Sequence, residues 1–225
     1  MSPVARAPQA SPLVTPEWLA QNLGRRDVRV VDGSWHMPQL KRDARAEFVE
    51  AHVPGAVFFA VAVLDGGLPR WRAEGRPVES GSAAPKPRRF TARLRRSLVR
   101  DLAGMRRNLT TRKAQVLDAR SRGRFAGTEP EPRAGLRAGH IPRSLNLPYD
   151  ELYQKDGTLL PPDALRQKFE ASGLDLDKPV VTSCGSGVTA SVLALGLYAI
   201  GRPDVAVYDG SWTEWGGDGD TPIET

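Results

Sequence analysis

Cysteine occurs once in the 225 residues, at Cys184. A lone thiol can close no internal disulfide and build no multi-thiolate metal site, so any cysteine chemistry belongs to a single sulfur. Long apolar runs are missing too. None reaches the roughly 18 residues that a membrane-spanning helix needs, and the stretch MSPVARAPQASPLVTPEW has no apolar core of a secretory signal. From these absences we expect a cytoplasmic chain with no membrane partner. The composition, 40% hydrophobic and 26% charged, disfavours both wholesale disorder and a collagen-like fibre. A length of 225 residues accommodates one large domain or two small ones.

Acidic residues are nearly absent from one segment. Positions 82–113 hold 11 Lys or Arg against Asp101 alone, a local balance of +10 within a net charge of +6, which leaves the rest of the chain at −4. The segment opens on the linker-like run 82–87 (SAAPKP) and has no aromatic interleaving beyond Phe90 and no recognition motif. It reads as a solvated basic connector, not a nucleic-acid surface.

An internal repeat is the main feature of the chain. Residues 28–34 (VRVVDGS) are echoed by 115–120 (QVLDAR), with Asp32 matching Asp118 at an offset of 86. His52, Val53, Pro54 and Gly55 match His140, Ile141, Pro142 and Arg143 at an offset of 88. The offset then jumps to 144, where 61–66 (VAVLDG) matches 205–210 (VAVYDG), followed by Trp71 and Trp215 in similar contexts. The first copy therefore lacks 56 residues that the second possesses. Self-similarity of this kind indicates two related domains joined near residues 82–96.

Short apolar runs at 115–118, 180–183 and 205–208 alternate with helical patterns at 163–171 and 189–200, which predicts a parallel α/β sheet. In the first copy, Thr15 and Pro16 suit a helix cap and first turn, 43–51 has a helical pattern, and 56–59 and 61–64 suit strands.

Between the 180–183 run and the 189–200 helix lies CGSGVT, residues 184–189. Two glycines let the backbone curl so that successive N–H groups converge on the sulfur of Cys184, and the following helix adds the positive end of its dipole. Both effects favour a thiolate, the nucleophilic form. A cysteine phosphatase needs an arginine six positions after the cysteine to clamp phosphoryl oxygens, and position 190 is Ala. That chemistry is rejected.

The motifs CGSGVT at 184–189, GRFAGTEPEPR at 123–133, AGHIP at 138–142 and DGSWTEW at 209–215 resemble the two-domain rhodanese superfamily and, within it, the 3-mercaptopyruvate sulfurtransferases. The resemblance implies an α/β fold of tandem rhodanese-like domains, a parallel sheet flanked by helices, with the first domain truncated. It assigns 13–81 to a truncated N-terminal domain, 82–107 to a basic linker and connecting helix, and 108–225 to the catalytic domain. It makes Cys184 the catalytic nucleophile and Arg124 and Arg133 the ligands of the substrate's carboxylate and keto oxygen. In the active-site loop, Gly185, Gly187, Val188 and Thr189 would supply backbone donors to the sulfur, and Ser186 would relay a proton.

Thiosulfate-using members carry basic residues directly after the cysteine, whereas Gly185 and Ser186 are neutral and resemble the mercaptopyruvate branch. The implied cycle passes sulfur from a small-molecule donor through a Cys184 persulfide to a thiol acceptor such as thioredoxin or glutathione, or to cyanide. It requires no metal and no organic cofactor. His52 and His140 recur in both copies although only one copy has a cysteine, so they are read as turn-stabilising residues. Arg120, Arg122 and Arg143 are read as surface or salt-bridge residues.

One departure counts against the enzyme. The family continues after the strand matching 56–59 with a segment whose Asp and His line the cleft, but here Phe59 and Ala60 run straight into 61–67. The competing reading is a weakly active or non-catalytic sulfur-carrying or protein-binding module. Loss of a central strand and helix leaves less apolar burial per residue in the first half. We therefore expect residues 13–81 to exchange amide hydrogens at lower opening free energy than 108–215. Equal protection of the two halves would show that the first half builds a compact sheet without the missing block.

Overall fold

A short strand followed by a capped helix opens each half of the chain. The computed structural model describes residues 13–23, 25, 28, 30, 44–51, 53, 63–81 and 95–225. Asp32, His52, Pro54, Gly55, the expected strand at 56–59 and the run 82–94 lie outside the described residues. The chain divides into two units, 1–92 with 154–159, and 93–153 with 160–225.

In the first unit, β1 (Leu13–Val14) leads into α1 (Pro16–Asn22), then α2 (Ala44–Glu50), β2 (Val63–Leu64) and α3 (Gly67–Ala73). Thr15 is extended, and its hydroxyl accepts the Trp18 N–H at 3.2 Å, while Pro16 occupies the first turn, where no donor is needed. β1 and β2 pair in parallel. Trp71 of α3 is fully buried in a cluster with Leu19 and Val53, packed by Trp18, Leu64 and Leu68.

The second unit carries β3 (Val99–Arg100), α4 (Leu102–Thr111), β4 (Gln115–Asp118), α5 (Arg122–Phe125), β5 (Leu145–Asn146), α6 (Pro162–Ala171), β6 (Val180–Ser183), α7 (Ala190–Ala199), β7 (Ala206–Tyr208) and α8 (Ser211–Trp215). Its five strands are all parallel, in the order β3-β7-β6-β4-β5. β4, β6 and α6 fall where the hydrophobic pattern puts them. β6 is central, and all four of its residues are buried, as a strand covered on both faces requires. One face carries the core of Met105, Val116, Ile141, Val181, Ala206, Tyr208, Trp212 and Trp215. On α7, a Cβ at Gly196 would stand 3.1 Å from both Leu152 and Phe169, so the glycine lets that helix pack closely. Among the described residues, no helix is long and apolar enough to cross a membrane.

The boundary between the units differs from the expected one. Residues 95–107 do not belong to a linker: β3 is the edge strand hydrogen-bonded to β7, and α4 supplies Met105 to the core. The basic side chains disguise this, because arginines on a short edge strand and an outer helix face keep their charged heads in water while the strand backbone pairs and Met105 is buried.

The two units make similar bonds at several places. β1 pairs with β2 as β3 pairs with β7, and the Asp65 and Asp209 N–H groups reach the carbonyls of Val14 and Arg100. Asp101 caps α4 by accepting the Gly104 N–H at 2.7 Å, as Thr15 caps α1. Trp71 and Trp215 each donate their indole N–H to a proline carbonyl, Pro77 at 2.7 Å and Pro222 at 2.8 Å.

Candidate active site

The strand order around β4 places β5 on one side and β6 on the other, and the carboxyl ends of β4 and β6 meet at this switch point, where open parallel sheets bind ligands. Cys184 follows β6 directly and is 1% exposed. Its sulfur accepts the Ser186 N–H at 3.4 Å, and among the described residues this is its one hydrogen bond. The ten-residue helix α7 starts at Ala190 and contributes the positive end of its dipole. Of the other loop residues, Val188 is 46% exposed, and Thr189 occupies the cap position of α7 without a side-chain cap bond.

The turn after β7 backs this loop. Ser211 Oγ accepts the Cys184 N–H at 3.1 Å and donates to the Tyr208 carbonyl at 2.7 Å. Trp212 N–H donates to the Cys184 carbonyl at 2.9 Å. The Gly185 carbonyl accepts both the N–H of Thr213, at 2.9 Å, and its hydroxyl, at 2.6 Å. Gly187 has a φ of +82°, and a Cβ there would lie 2.7 Å from the Asp209 carbonyl oxygen, so glycine alone fits. Ser211 itself holds a φ of +48° while fully buried, a conformation that this bonding pattern sustains.

A chain of buried ions lies beside the loop. Arg120 donates to Asp118 from Nε and Nη2, at 3.0 and 2.8 Å, to Glu131 from Nη1 at 2.7 Å, and to the Gly139 carbonyl at 2.9 Å. Its guanidinium carbon sits 4.3 Å from the centre of the Trp212 ring. Burial works against the charge, but Asp118 and then Glu131 more than offset that and hold the guanidinium above its ordinary pKa. Glu131 also takes Arg124, at 2.6 Å from Nη2 and 3.3 Å from Nε. Arg124 Nη2 lies 3.0 Å from the place a Cβ on Gly185 would occupy, which sets this guanidinium against the loop. Arg133 donates from Nη1 to Thr213 Oγ1.

The structure thus gathers Cys184, Gly185, Ser186, Gly187, Arg124 and Arg133. Of the two readings of Arg120, surface or salt-bridge residue, the second holds: its side chain is fully enclosed and paired with Asp118 and Glu131. Arg122 does lie outside, paired with Glu151 at 2.5 Å. Arg143 is exposed, and its N–H reaches Glu224. His140 stacks on Phe125 at 3.8 Å and bonds the Phe125 carbonyl through Nδ1 at 2.8 Å, so it braces the helix that carries Arg124. Glu131, Ser211 and Thr213 received no role from the sequence. A signal existed for the first network only: Asp118 and Arg120, two apart at a strand end, project to one face. A cavity of about 610 Å³ lined by Met105, Leu109, Gln115, Ile141 and Pro222 adjoins the opposite end of β4 and takes no part in this site.

A parallel sheet with a cysteine loop at its switch point, flanked by one buried and two partly exposed arginines, has known counterparts. The Rhodanese-like domain family matches residues 101–218, more than half of the chain, and the chain belongs to that family. Human 3-mercaptopyruvate sulfurtransferase is 35% identical over 270 aligned positions, covering 90% of this chain and 91% of that protein. Bovine thiosulfate sulfurtransferase is also 35% identical, over 271 positions, with the same coverage. The solved structure of SseA from Escherichia coli, a 3-mercaptopyruvate sulfotransferase, has a TM-score of 0.80 at 27% identity and covers 90% of this chain and 99% of that one. These relatives are sulfurtransferases, and the similarity supports that class of activity here. The 270 aligned positions exceed the chain's 225 residues, so the human relative carries internal segments that this chain lacks.

Asp118→Asn should test the ion network. It leaves a buried guanidinium with half its counter-charge, which costs about 3–5 kcal/mol in comparable sites. Urea unfolding will read this as a lower midpoint. A loss of about 1 kcal/mol or less, the size of an exposed pair, would show that the network is not what holds the site.

Proposed function

We propose that this chain is a 3-mercaptopyruvate sulfurtransferase that works through a persulfide on Cys184. The observation that carries the reading is the meeting of one thiol, a backbone N–H on its sulfur and two arginines at the carboxyl end of the central strand. The Cys184 thiolate attacks the sulfur of mercaptopyruvate and forms an S–S bond. The C–S bond breaks, its electron pair passes to the carbon, and the enolate of pyruvate leaves and takes a proton there. The sulfhydryl proton stays on the outer sulfur of the persulfide. Arg124 and Arg133 hold the carboxylate and the oxygen that gains charge, which lowers the barrier only to the extent that their contacts strengthen as the enolate forms. Ser186 Oγ relays a proton at the loop. A second thiolate, from thioredoxin, glutathione or another small thiol, then attacks the outer sulfur and regenerates Cys184; cyanide does the same and leaves as thiocyanate.

Substrate choice follows from charge and space at the loop. Gly185 and Ser186 offer no cation to a dianion such as thiosulfate, and the absent side chain at Gly185 leaves room for Arg124. A second reading, a sulfur-carrying or protein-binding module, draws on the internal segments that this chain lacks relative to the human relative.

Incubation with mercaptopyruvate should release pyruvate and add one sulfur atom to the mass of the chain, and Cys184→Ser should abolish both, because a serine oxygen cannot carry sulfane sulfur. Sulfur uptake without turnover on added thiol would favour the carrier, and an unmodified Cys184 in folded protein would sink both the enzyme and the sulfur carrier and leave the protein-binding module. Mercaptopyruvate should also exceed thiosulfate in kcat/KM. Gly185→Arg with Ser186→Lys should shift the preference toward thiosulfate by about 1–3 kcal/mol. Unchanged selectivity would place the determinant elsewhere.

A further inference from the structure

The two arginines at the loop are held in different ways. Arg124 is matched by the carboxylate of Glu131, which Arg120 shares. Arg133 is held by the neutral hydroxyl of Thr213, and among the described residues no carboxylate lies within ion-pair distance of it. The Arg133 charge is thus the one left to meet an incoming anion. We propose that Thr213 is a positioning residue that sets the Arg133 guanidinium against the Cys184 loop and thereby makes Arg133 the site's carboxylate reader. This rests on the reading that a carboxylate-bearing substrate reacts at Cys184.

The bonding polarity supports the assignment. A hydroxyl has one hydrogen to give and two lone pairs to offer, and a guanidinium can only donate. Thr213 gives its hydrogen to the Gly185 carbonyl at 2.6 Å, which turns a lone pair toward Arg133 Nη1. The direction of the Arg133 bond is therefore set by the same carbonyl that shapes the loop beside the sulfur. The loop has an independent tie: the Thr213 N–H also donates to the Gly185 carbonyl, at 2.9 Å, and does not depend on the side chain. Exchanging the hydroxyl for a methyl group would release Arg133 while leaving the loop bonded to α8. An alteration of carboxylate recognition can therefore be separated from damage to the thiol.

Because Cys184 is the chain's one cysteine, alkylation reports on it alone. Iodoacetate and iodoacetamide react by the same displacement of iodide and differ in carrying or lacking a carboxylate. The ratio of their rates isolates recognition of that group from reactivity of the sulfur. In the full chain, Thr213→Val should lower the iodoacetate-to-iodoacetamide ratio by about tenfold, the size expected for a charged hydrogen bond. Thr213→Ala should act in the same direction and serves where valine perturbs folding, whereas Thr213→Ser should keep the ratio. Arg133→Met should lower it as well, and the Thr213→Val, Arg133→Met double variant should fall no further. With mercaptopyruvate, Thr213→Val should raise KM more than it lowers kcat. Equal changes in both alkylation rates, an unchanged ratio, or independent effects of the two substitutions would overturn the proposal for Thr213. A wild-type ratio no higher than that of a free small thiol would instead overturn the underlying reading of a carboxylate site.

Discussion

The frame of the candidate site is tied by the ion chain Asp118, Arg120, Glu131 and Arg124, the first three enclosed and Arg124 partly exposed. Taking ions out of water is costly unless each finds partners, and a half-satisfied set is worse than an apolar one. Here the set is satisfied: the Arg120 guanidinium meets two carboxylates, a carbonyl and the face of Trp212. Because those partners come from the end of β4, the loop before Arg133, the turn after Ala138 and helix α8, one side chain ties together the segments that frame Cys184. Arg124 borrows its position from this arrangement through Glu131.

The loop around the thiol is likewise held from outside itself. Its own sequence supplies permission to curl, through Gly185 and Gly187, and a helix to point at the sulfur. Its shape comes from the turn after β7, whose Ser211, Trp212 and Thr213 bond the backbone of Cys184 and Gly185 in sequence order. That turn is also the element with a matching segment in the first unit, where Gly67–Ala73 follows Val63–Leu64 and buries Trp71. In the first unit the matching turn buries Trp71 and has no cysteine loop to hold, because the chain's one cysteine lies in the second unit.

Relatives that use mercaptopyruvate and relatives that use thiosulfate match this chain at the same identity, so whole-chain similarity does not separate the two substrates. The preference proposed above for a monoanionic 2-oxo acid rests instead on local chemistry: a neutral loop beside the sulfur, one arginine paired with Glu131 and one held by a hydroxyl.

Much of this was readable along the chain. The runs at 115–118 and 180–183 show as strands because Val116 and Leu117, and Val180, Val181 and Thr182, form short stretches bounded by turn signals, and Cys184 stands out because glycines and a helix start flank it. Thr15 caps its helix through a contact three residues away, which a sequence records directly. The β3 edge strand was hidden in a basic stretch, since arginines report their heads' solvation and not their backbone's pairing. The roles of Glu131, Ser211 and Thr213 were hidden for a different reason. Each acts through a partner that lies far along the chain, as in the 28 residues between Gly185 and Thr213 or the 80 between Arg133 and Thr213. Local residue types and short-range spacing thus determined most of the elements, the candidate nucleophile and the family, while the charge balance of the two arginines was decided only when the sheet brought distant carboxylates and hydroxyls within hydrogen-bond reach.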